Sequence, residues 1–240
     1  MTYRILATDY DGTIAFEGKV DAETLKGLDD ARSAGTRLIM VTGRELTDLF
    51  NTFQHTDIFD RIVAENGAVL YEPATKEIHR LAPAPPAALV ERLTREAIPI
   101  SVGHSVVATI EPHDQAVLTA IRELSLDWHV IFNKGSVMAL PSDVTKATGL
   151  AAALDITGWR WSETVGVGDA ENDIAFLRRS GLAVAVANAL PTVKEIADLV
   201  TVGARGAGVV ELLEQWGRGT LDGLATNPLR AAAVSQNLTL

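Results

Sequence analysis

Two short acidic segments carry residue types that could do chemistry together: Asp9-Tyr10-Asp11-Gly12-Thr13 and Gly168-Asp169-Ala170-Glu171-Asn172-Asp173. Each follows an apolar run that reads as a buried strand, Arg4 to Thr8 and Thr164 to Val167. Ligand sites in open α/β sheets gather at the carboxyl ends of strands. Carboxylates at i and i+2 followed by glycine suit a loop that bends back over a bound ion, and they equally make an ordinary strand-to-turn signal. Asp169 stands at a strand end and Asp173 one helical turn further on, and Asp169 or Asn172 also suits helix capping. Two acidic loops at two strand ends of one sheet cluster their carboxylates, which repel unless a cation intervenes. Mg²⁺ takes a few carboxylates together with waters and a substrate phosphate. Thr42-Gly43-Arg44 follows a third apolar run, Arg37 to Val41, and offers a hydroxyl and backbone amides at a helix start. That position favours an anion, and it also fits a plain N-cap. Lys146 opens the helix candidate Thr145 to Leu154, where its charge opposes the helix dipole; a solvated lysine is the default there.

These residues need a sheet to bring them together, and the pattern supplies one. Asp21 is a candidate N-cap for a helix with Leu25, Leu28 and Ala31 on one face and Gly35 as its stop. A helix over about Glu45 to Phe53 and a strand Arg61 to Ala64 follow, leading into Glu65-Asn66-Gly67. Strand and helix alternating through short links predict a parallel α/β sheet with right-handed crossovers. The rhythm changes between about Ala82 and Pro141, after Pro83, Pro85 and Pro86. A helix from Leu89, a strand Val106 to Ile110, a helix Ala116 to Leu124, and strands Trp128 to Phe132 and Val137 to Leu140 form a small α+β insertion. The alternating rhythm then returns: helix Asn172 to Arg178, strand Leu182 to Val186 ending at Asn188, helix Val193 to Ala197 and helix Gly208 to Trp216. The expected architecture is a Rossmann-like parallel-sheet core, 1–81 and 142–218, with a cap inserted at 82–141 and a tail, 219–240, of no assigned role. Gly203 to Gly208 lacks a phosphate-loop lysine and reads as a strand-to-helix turn. His104, His113 and His129 have no ligand spacing, and Trp128, Trp159, Trp161 and Trp216 read as packing residues.

The ordered set Asp9-x-Asp11-Gly12-Thr13, Thr42-Gly43-Arg44, Lys146 and Gly168-Asp169-x-x-Asn172-Asp173 resembles the four motifs of the haloacid dehalogenase superfamily. Asn66-Gly67-Ala68, Val186-Ala187-Asn188-Ala189, Lys194 and Ala197-Asp198 look like its Cof-type branch, subclass IIB, which includes sugar phosphatases and archaeal-type phosphoglycolate phosphatases. The resemblance covers about residues 3–216. Its cap position agrees: only about thirty residues separate Asp11 from Thr42, and the insertion lies between Thr42 and Lys146. The insertion is short for the branch, closer in size to the phosphoglycolate phosphatase type. The resemblance implies that Asp9 is a nucleophile forming an aspartyl-phosphate, and that Asp11 is the acid and base. It also implies that Thr42, Gly43, Arg44, Lys146 and Asn188 face the phosphoryl group. Asp9, the Asp11 carbonyl and Asp169 would hold Mg²⁺, with Asp173 as ligand or support. Arg44 reaches either substrate or a neighbouring carboxylate. In the cap, the turn Asn133-Lys134-Gly135-Ser136 and then His104 are candidates for touching the substrate.

Composition agrees with a small-molecule enzyme. Of 240 residues, 47% are hydrophobic and 22% charged, which excludes gross disorder. The chain has no cysteine, so disulfides, thiolate metal sites and cysteine nucleophiles are excluded. A net charge of −10 does not steer toward nucleic acid or anionic membranes. No apolar stretch is long enough to span a bilayer or to read as a signal peptide. The expectation is a cytoplasmic Mg²⁺-dependent phosphatase of a small phosphorylated substrate, monomer or homodimer, with no nucleic-acid or membrane partner. The rivals are a phosphotransferase or mutase with the same chemistry, a receiver-like signalling domain and a non-catalytic phosphate-binding module. Receiver-like domains are about half this length and carry their acceptor aspartate in mid-chain.

Overall fold

The run Ile5–Thr8 forms β1, and all four of its residues are buried. Burial without alternation marks a strand covered on both faces, as in a parallel sheet. The computed structural model describes residues 3–133, 135–221 and 224. After β1 come α1 (Ala22–Ser33), β2 (Arg37–Val41), α2 (Leu46–Thr52), β3 (Arg61–Ala64), β4 (Val69–Glu72) and β5 (Glu77–Arg80). The cap segment holds α3 (Ala87–Arg95), β6 (Ser101–Val102), β7 (Val107–Ile110), α4 (Asp114–Glu123), β8 (Trp128–Asn133) and β9 (Ser136–Pro141). The chain returns through α5 (Lys146–Thr157), β10 (Thr164–Gly168), α6 (Ile174–Leu177), β11 (Leu182–Ala185), α7 (Pro191–Ile196), β12 (Leu199–Val200) and α8 (Gly206–Gly217).

The core is one eight-stranded sheet in the order β12-β11-β10-β1-β2-β3-β4-β5. The strands from β12 to β3 run parallel, with Thr8 opposite both Val167 of β10 and Met40 of β2. Strand order reverses at β1, and the crevice outside such a reversal is where open α/β sheets bind ligands. The three loops singled out by chemistry leave β1, β10 and β2, three neighbours at that point.

Several elements depart from the sequence reading. β4 and β5 add an antiparallel extension to the parallel sheet. β5 is exposed at every position, so it has no apolar face to announce it. β6 and β12 are two residues long, below any readable period. The predicted helix from Asn172 starts as a 3₁₀ turn, Glu171–Asp173, before α6. Asp21 does cap α1, its Oδ1 accepting from the Thr24 amide at 2.7 Å. Thr42 does not cap α2, whose N-cap is Glu45. Of the tail 219–240, Leu221 is buried in the core cluster and Leu224 packs against it.

The cap has its own sheet, β6-β7-β9-β8, all antiparallel. Leu89, Leu93, Val117 and Ile121 of its two helices pack on Val107, Val137 and Ala139 as a separate apolar cluster. The opposite face carries Ser101, Ala108 and Met138 in cross-strand register, and it lines a cleft shared with Asp9 of the core. None of the described helices is long and apolar enough to cross a membrane.

Candidate active site

Asp9 follows the last residue of β1, and its amide donates to Val167 O at 3.0 Å, which extends the ladder to the loop. Asp169 leaves the adjacent β10, so parallel pairing alone brings the two aspartates together. Asp9, Asp169 and Asp173 are buried, and each offers a carboxylate oxygen within 4.8 Å of the others. Lys146, the first residue of α5 and almost wholly buried, donates to Asp9 Oδ1 and to Asp173 Oδ1, both at 2.6 Å. Thr13 Oγ1 donates to Asp9 Oδ2 at 3.0 Å and lies 3.3 Å from Asp169 Oδ1. Asp173 Oδ2 accepts from the amides of Asp169 and Ala170 at 2.9 and 3.0 Å, which fixes the second acidic loop.

The electrostatics of this cluster are unbalanced. Burial, with Asp173 and Asp11 nearby, pushes Asp9 from 3.8 to about 6 despite the ammonium of Lys146. Lys146 is held well above the usual lysine range: burial alone would lower it, and Asp173 and Asp9 more than reverse that. One buried ammonium faces three buried carboxylates, so the cluster is short of positive charge. Its donors are oxygens only, which is the set a hard divalent cation takes. The residues therefore fit Mg²⁺.

Asp11 is outside that cluster. Arg44 grips its carboxylate with a two-pronged fork, Nε to Oδ2 at 2.7 Å and Nη2 to Oδ1 at 2.8 Å. Nη1 of Arg44 reaches Asp48 Oδ2 at 2.6 Å. Of the two readings left open for Arg44, the carboxylate is the one seen. Thr42 is fully buried, and its Oγ1 accepts from the Arg44 amide at 3.1 Å. Gly43 and Arg44, not Thr42, line the cleft under the cap, which has a volume of about 410 Å³. Asn188 ties two loops together: its Nδ2 donates to Gly12 O at 2.9 Å and its Oδ1 accepts from the Arg205 amide at 2.8 Å. Asn133 and Ser136 of the cap turn line the cleft, while Lys134 between them lies outside the described residues.

The turn Glu65–Gly67 has a reach that the sequence did not reveal. All three residues are fully or nearly fully buried and have positive φ, 52°, 54° and 110°. The Glu65 amide donates to Arg44 O and the Asn66 amide to Thr42 O, at 3.0 and 3.1 Å. Asn66 Oδ1 accepts from Asn172 Nδ2 at 3.0 Å. Glu65 crosses into the cap, accepting from the amides of His104 and Ser105 at 2.9 and 2.8 Å, with His104 Nδ1 at 3.1 Å. His104, read as a candidate substrate contact, is thus engaged with the core. The available signal was a glutamate directly after the apolar strand Arg61–Ala64, where a charge is out of place unless it is satisfied.

A model of haloacid dehalogenase-like hydrolases matches residues 6–100 and 109–213. A phosphoglycolate phosphatase of Methanothermobacter thermautotrophicus is 31% identical over 219 residues, covering 89% of this chain and 98% of that one. A haloacid dehalogenase-like hydrolase from Bacteroides thetaiotaomicron superposes with a TM-score of 0.75 at 19% identity, over 89% of this chain and 99% of its own. A subclass IIB sugar phosphatase superposes at 0.70 with 20% identity, over the same shares. With a family model matched over most of its length and a relative aligned nearly end to end, the chain belongs to the haloacid dehalogenase-like hydrolases and is one of their phosphatases.

Proposed function

We propose that this phosphatase hydrolyses the phosphomonoester of a small metabolite, with Asp9 as nucleophile. The observation that carries the reading is Asp9 itself: buried at the end of the central strand, with Lys146 on one carboxylate oxygen and Thr13 on the other. That grip orients the carboxylate for in-line attack and keeps water from dispersing its charge. Attack forms a bond between Asp9 and phosphorus and breaks the bond to the leaving alcohol. Asp11, two residues on in the same loop, gives that alcohol its proton. It then takes a proton from the water that cleaves the acyl phosphate. The Arg44 fork engages both Asp11 oxygens, so the carboxyl must turn out of it to carry that proton. Lys146 and the amides around Gly43 steady the phosphoryl oxygens, and Asn188 holds the Gly12 end of the loop in place. Asp9, the Asp11 carbonyl and Asp169 would hold Mg²⁺, with Asp173 beside them. When bound, the cation offsets the repulsion between a carboxylate and a phosphate dianion.

The substrate classes that the relatives support are phosphoglycolate and sugar phosphates. The net charge of −10 accords with a protein that has no nucleic-acid or membrane partner. The test is a phosphate-release screen over phosphoglycolate, sugar phosphates and nucleotides, with a Mg²⁺ titration. Turnover should require Mg²⁺ and vanish in chelator. Asp169→Ala should shift the Mg²⁺ requirement upward by about tenfold or more. Full activity after exhaustive chelation would refute the metal assignment, and an unchanged titration would remove Asp169 from it.

A further inference from the structure

Asn66 has no part in the reaction described above, yet its one side chain joins two loops of the site to the cap. It is fully buried and sits at φ 54° and ψ 27°, in the left-handed region that asparagine enters more readily than most side chains. Its backbone amide donates to Thr42 O at 3.1 Å. Gly43 lies close against the carboxamide: a Cβ there would stand 3.1 Å from Asn66 Nδ2 and 3.2 Å from Oδ1. Oδ1 accepts from Asn172 Nδ2 at 3.0 Å, and Nδ2 donates to Met138 Sδ, on the cap strand β9, at 3.2 Å. A thioether has no hydrogen to give, so the carboxamide can face Met138 only with its NH₂ group. Its oxygen is then committed to Asn172.

The two ends of this chain are unequal. At the core end, Asn172 Oδ1 is buried and has no hydrogen-bond partner among the described residues. The Asn172 carboxamide therefore has one bond there, the bond to Asn66. Asn172 immediately precedes Asp173, whose two oxygens hold Lys146 on one side and the amides of Asp169 and Ala170 on the other. What steadies Asn172 steadies the turn that seats Lys146. At the cap end the acceptor is a sulfur, weaker than a carbonyl. Met138 belongs to the cap sheet by pairing, but it packs with the buried residues of the core and not with the cap's own cluster. A buried donor stripped of its acceptor is costly, so the orientation of the Asn66 carboxamide depends on where Met138 stands.

We propose that Asn66 is a positioning residue of the phosphatase, one that ties the Asp173–Lys146 pair to the seating of Met138 in the core. It touches no substrate and acts through Asn172. The effect on turnover rests on the phosphatase reading above; the coupling between cap and acidic loop does not.

The experiment turns on two substitutions at Met138. Met138→Leu keeps an apolar side chain of similar volume and removes the acceptor. Met138→Gln keeps the length and supplies a carbonyl, a stronger acceptor than sulfur. A packing role for this position ranks leucine above glutamine; the hydrogen-bond role ranks glutamine above leucine. With p-nitrophenyl phosphate, kcat should fall by about threefold to tenfold in Met138→Leu with KM nearly unchanged, and Met138→Gln should recover most of that loss. Asn66→Gly keeps the left-handed backbone and deletes the carboxamide. It should lower kcat at least as far, and in that background the two Met138 variants should be indistinguishable. Amide hydrogen exchange at Asp169 and Ala170, read without substrate, should accelerate in Asn66→Gly and Met138→Leu and stay slow in Met138→Gln. Leucine outperforming glutamine overturns the proposal. So do additive losses in the Asn66→Gly background, a loss confined to KM, or exchange at 169–170 that no variant changes. If no phosphomonoester is turned over, the phosphatase reading fails and the exchange measurement alone decides this inference.

Discussion

As the proposed nucleophile, Asp9 would have to be ionised, yet burial favours its protonated form and pushes it up to about 6. In chelator this becomes a stability statement. Below about pH 4 the group is protonated in both folded and unfolded chains and contributes nothing. As pH rises from about 4 to about 6, the unfolded chain ionises first and gains an advantage. The folded state is therefore penalised most above pH 6. Asp9→Asn removes this titration and nearly no volume. Its denaturation free energy, relative to wild type, should thus increase between pH 4 and pH 7 in EDTA, by about 1–3 kcal/mol. Mg²⁺ should stabilise wild type above pH 6 and the variant far less. The same variant should show no measurable turnover; substantial residual kcat in a pure preparation would remove Asp9 as the nucleophile. The acids were legible in the sequence because loops after buried strands seldom concentrate carboxylates. Lys146 was legible only through the resemblance, since one lysine at a helix start has no local signature.

At the scale of elements, α5 is what delivers Lys146, and its seat is a glycine contact. A Cβ on Gly149 would stand 2.4 Å from Gly67 Cα and 2.5 Å from Val63 Cγ1. A Cβ on Gly67 would fall 2.0 Å from Thr145 O, and its φ of 110° excludes most side chains as well. In an exposed helix Gly→Ala stabilises by about 1 kcal/mol. Here Gly149→Ala should do the reverse, lowering stability by about 1–3 kcal/mol through overpacking. By tilting the first turn of α5 it should also lower kcat more than it raises KM. An unchanged kcat with lowered melting temperature would mean that Lys146 tolerates the shift. The parallel strands were readable because a strand buried on both faces is a continuous apolar run. β4, β5, β6 and β12 were not, since two are half-turn fragments of sheet and β5 is exposed throughout. Pairing with a formed neighbour, not local pattern, makes them strands.

Across the whole molecule, the sequence placed the cap between Thr42 and Lys146 but gave no view of how it is fastened. Glu65 does that work from the core, receiving two backbone amides of the β6–β7 connection. Gly103 makes the approach possible, since a Cβ there would be 2.8 Å from Glu65 Oε1. Glu65→Ala would leave both amides without an acceptor in a buried seam, at about 1–3 kcal/mol for each. Hydrogen exchange at residues 103–105 should accelerate, and KM should rise more than kcat falls. Glu65→Gln, which keeps one acceptor oxygen, should be intermediate. Unaltered exchange at those amides in the alanine variant would show that the seam is held elsewhere.

The same three-residue turn bears on how this enzyme can be recombined. By its two chain crossings the cap resembles a cassette, removable at 82 and 141 and transferable to a related core. Its hydrogen bonding says otherwise, because the acceptor for its own backbone stays behind in the donor protein. A chimera that imports this cap into a core without a carboxylate at the Glu65 position inherits two orphaned donors. A foreign cap placed on this core must offer a glycine at the point of contact or strand a buried charge. The unit that travels intact is the cap together with Glu65–Gly67, a segment joined in space and interrupted in sequence by β4 and β5.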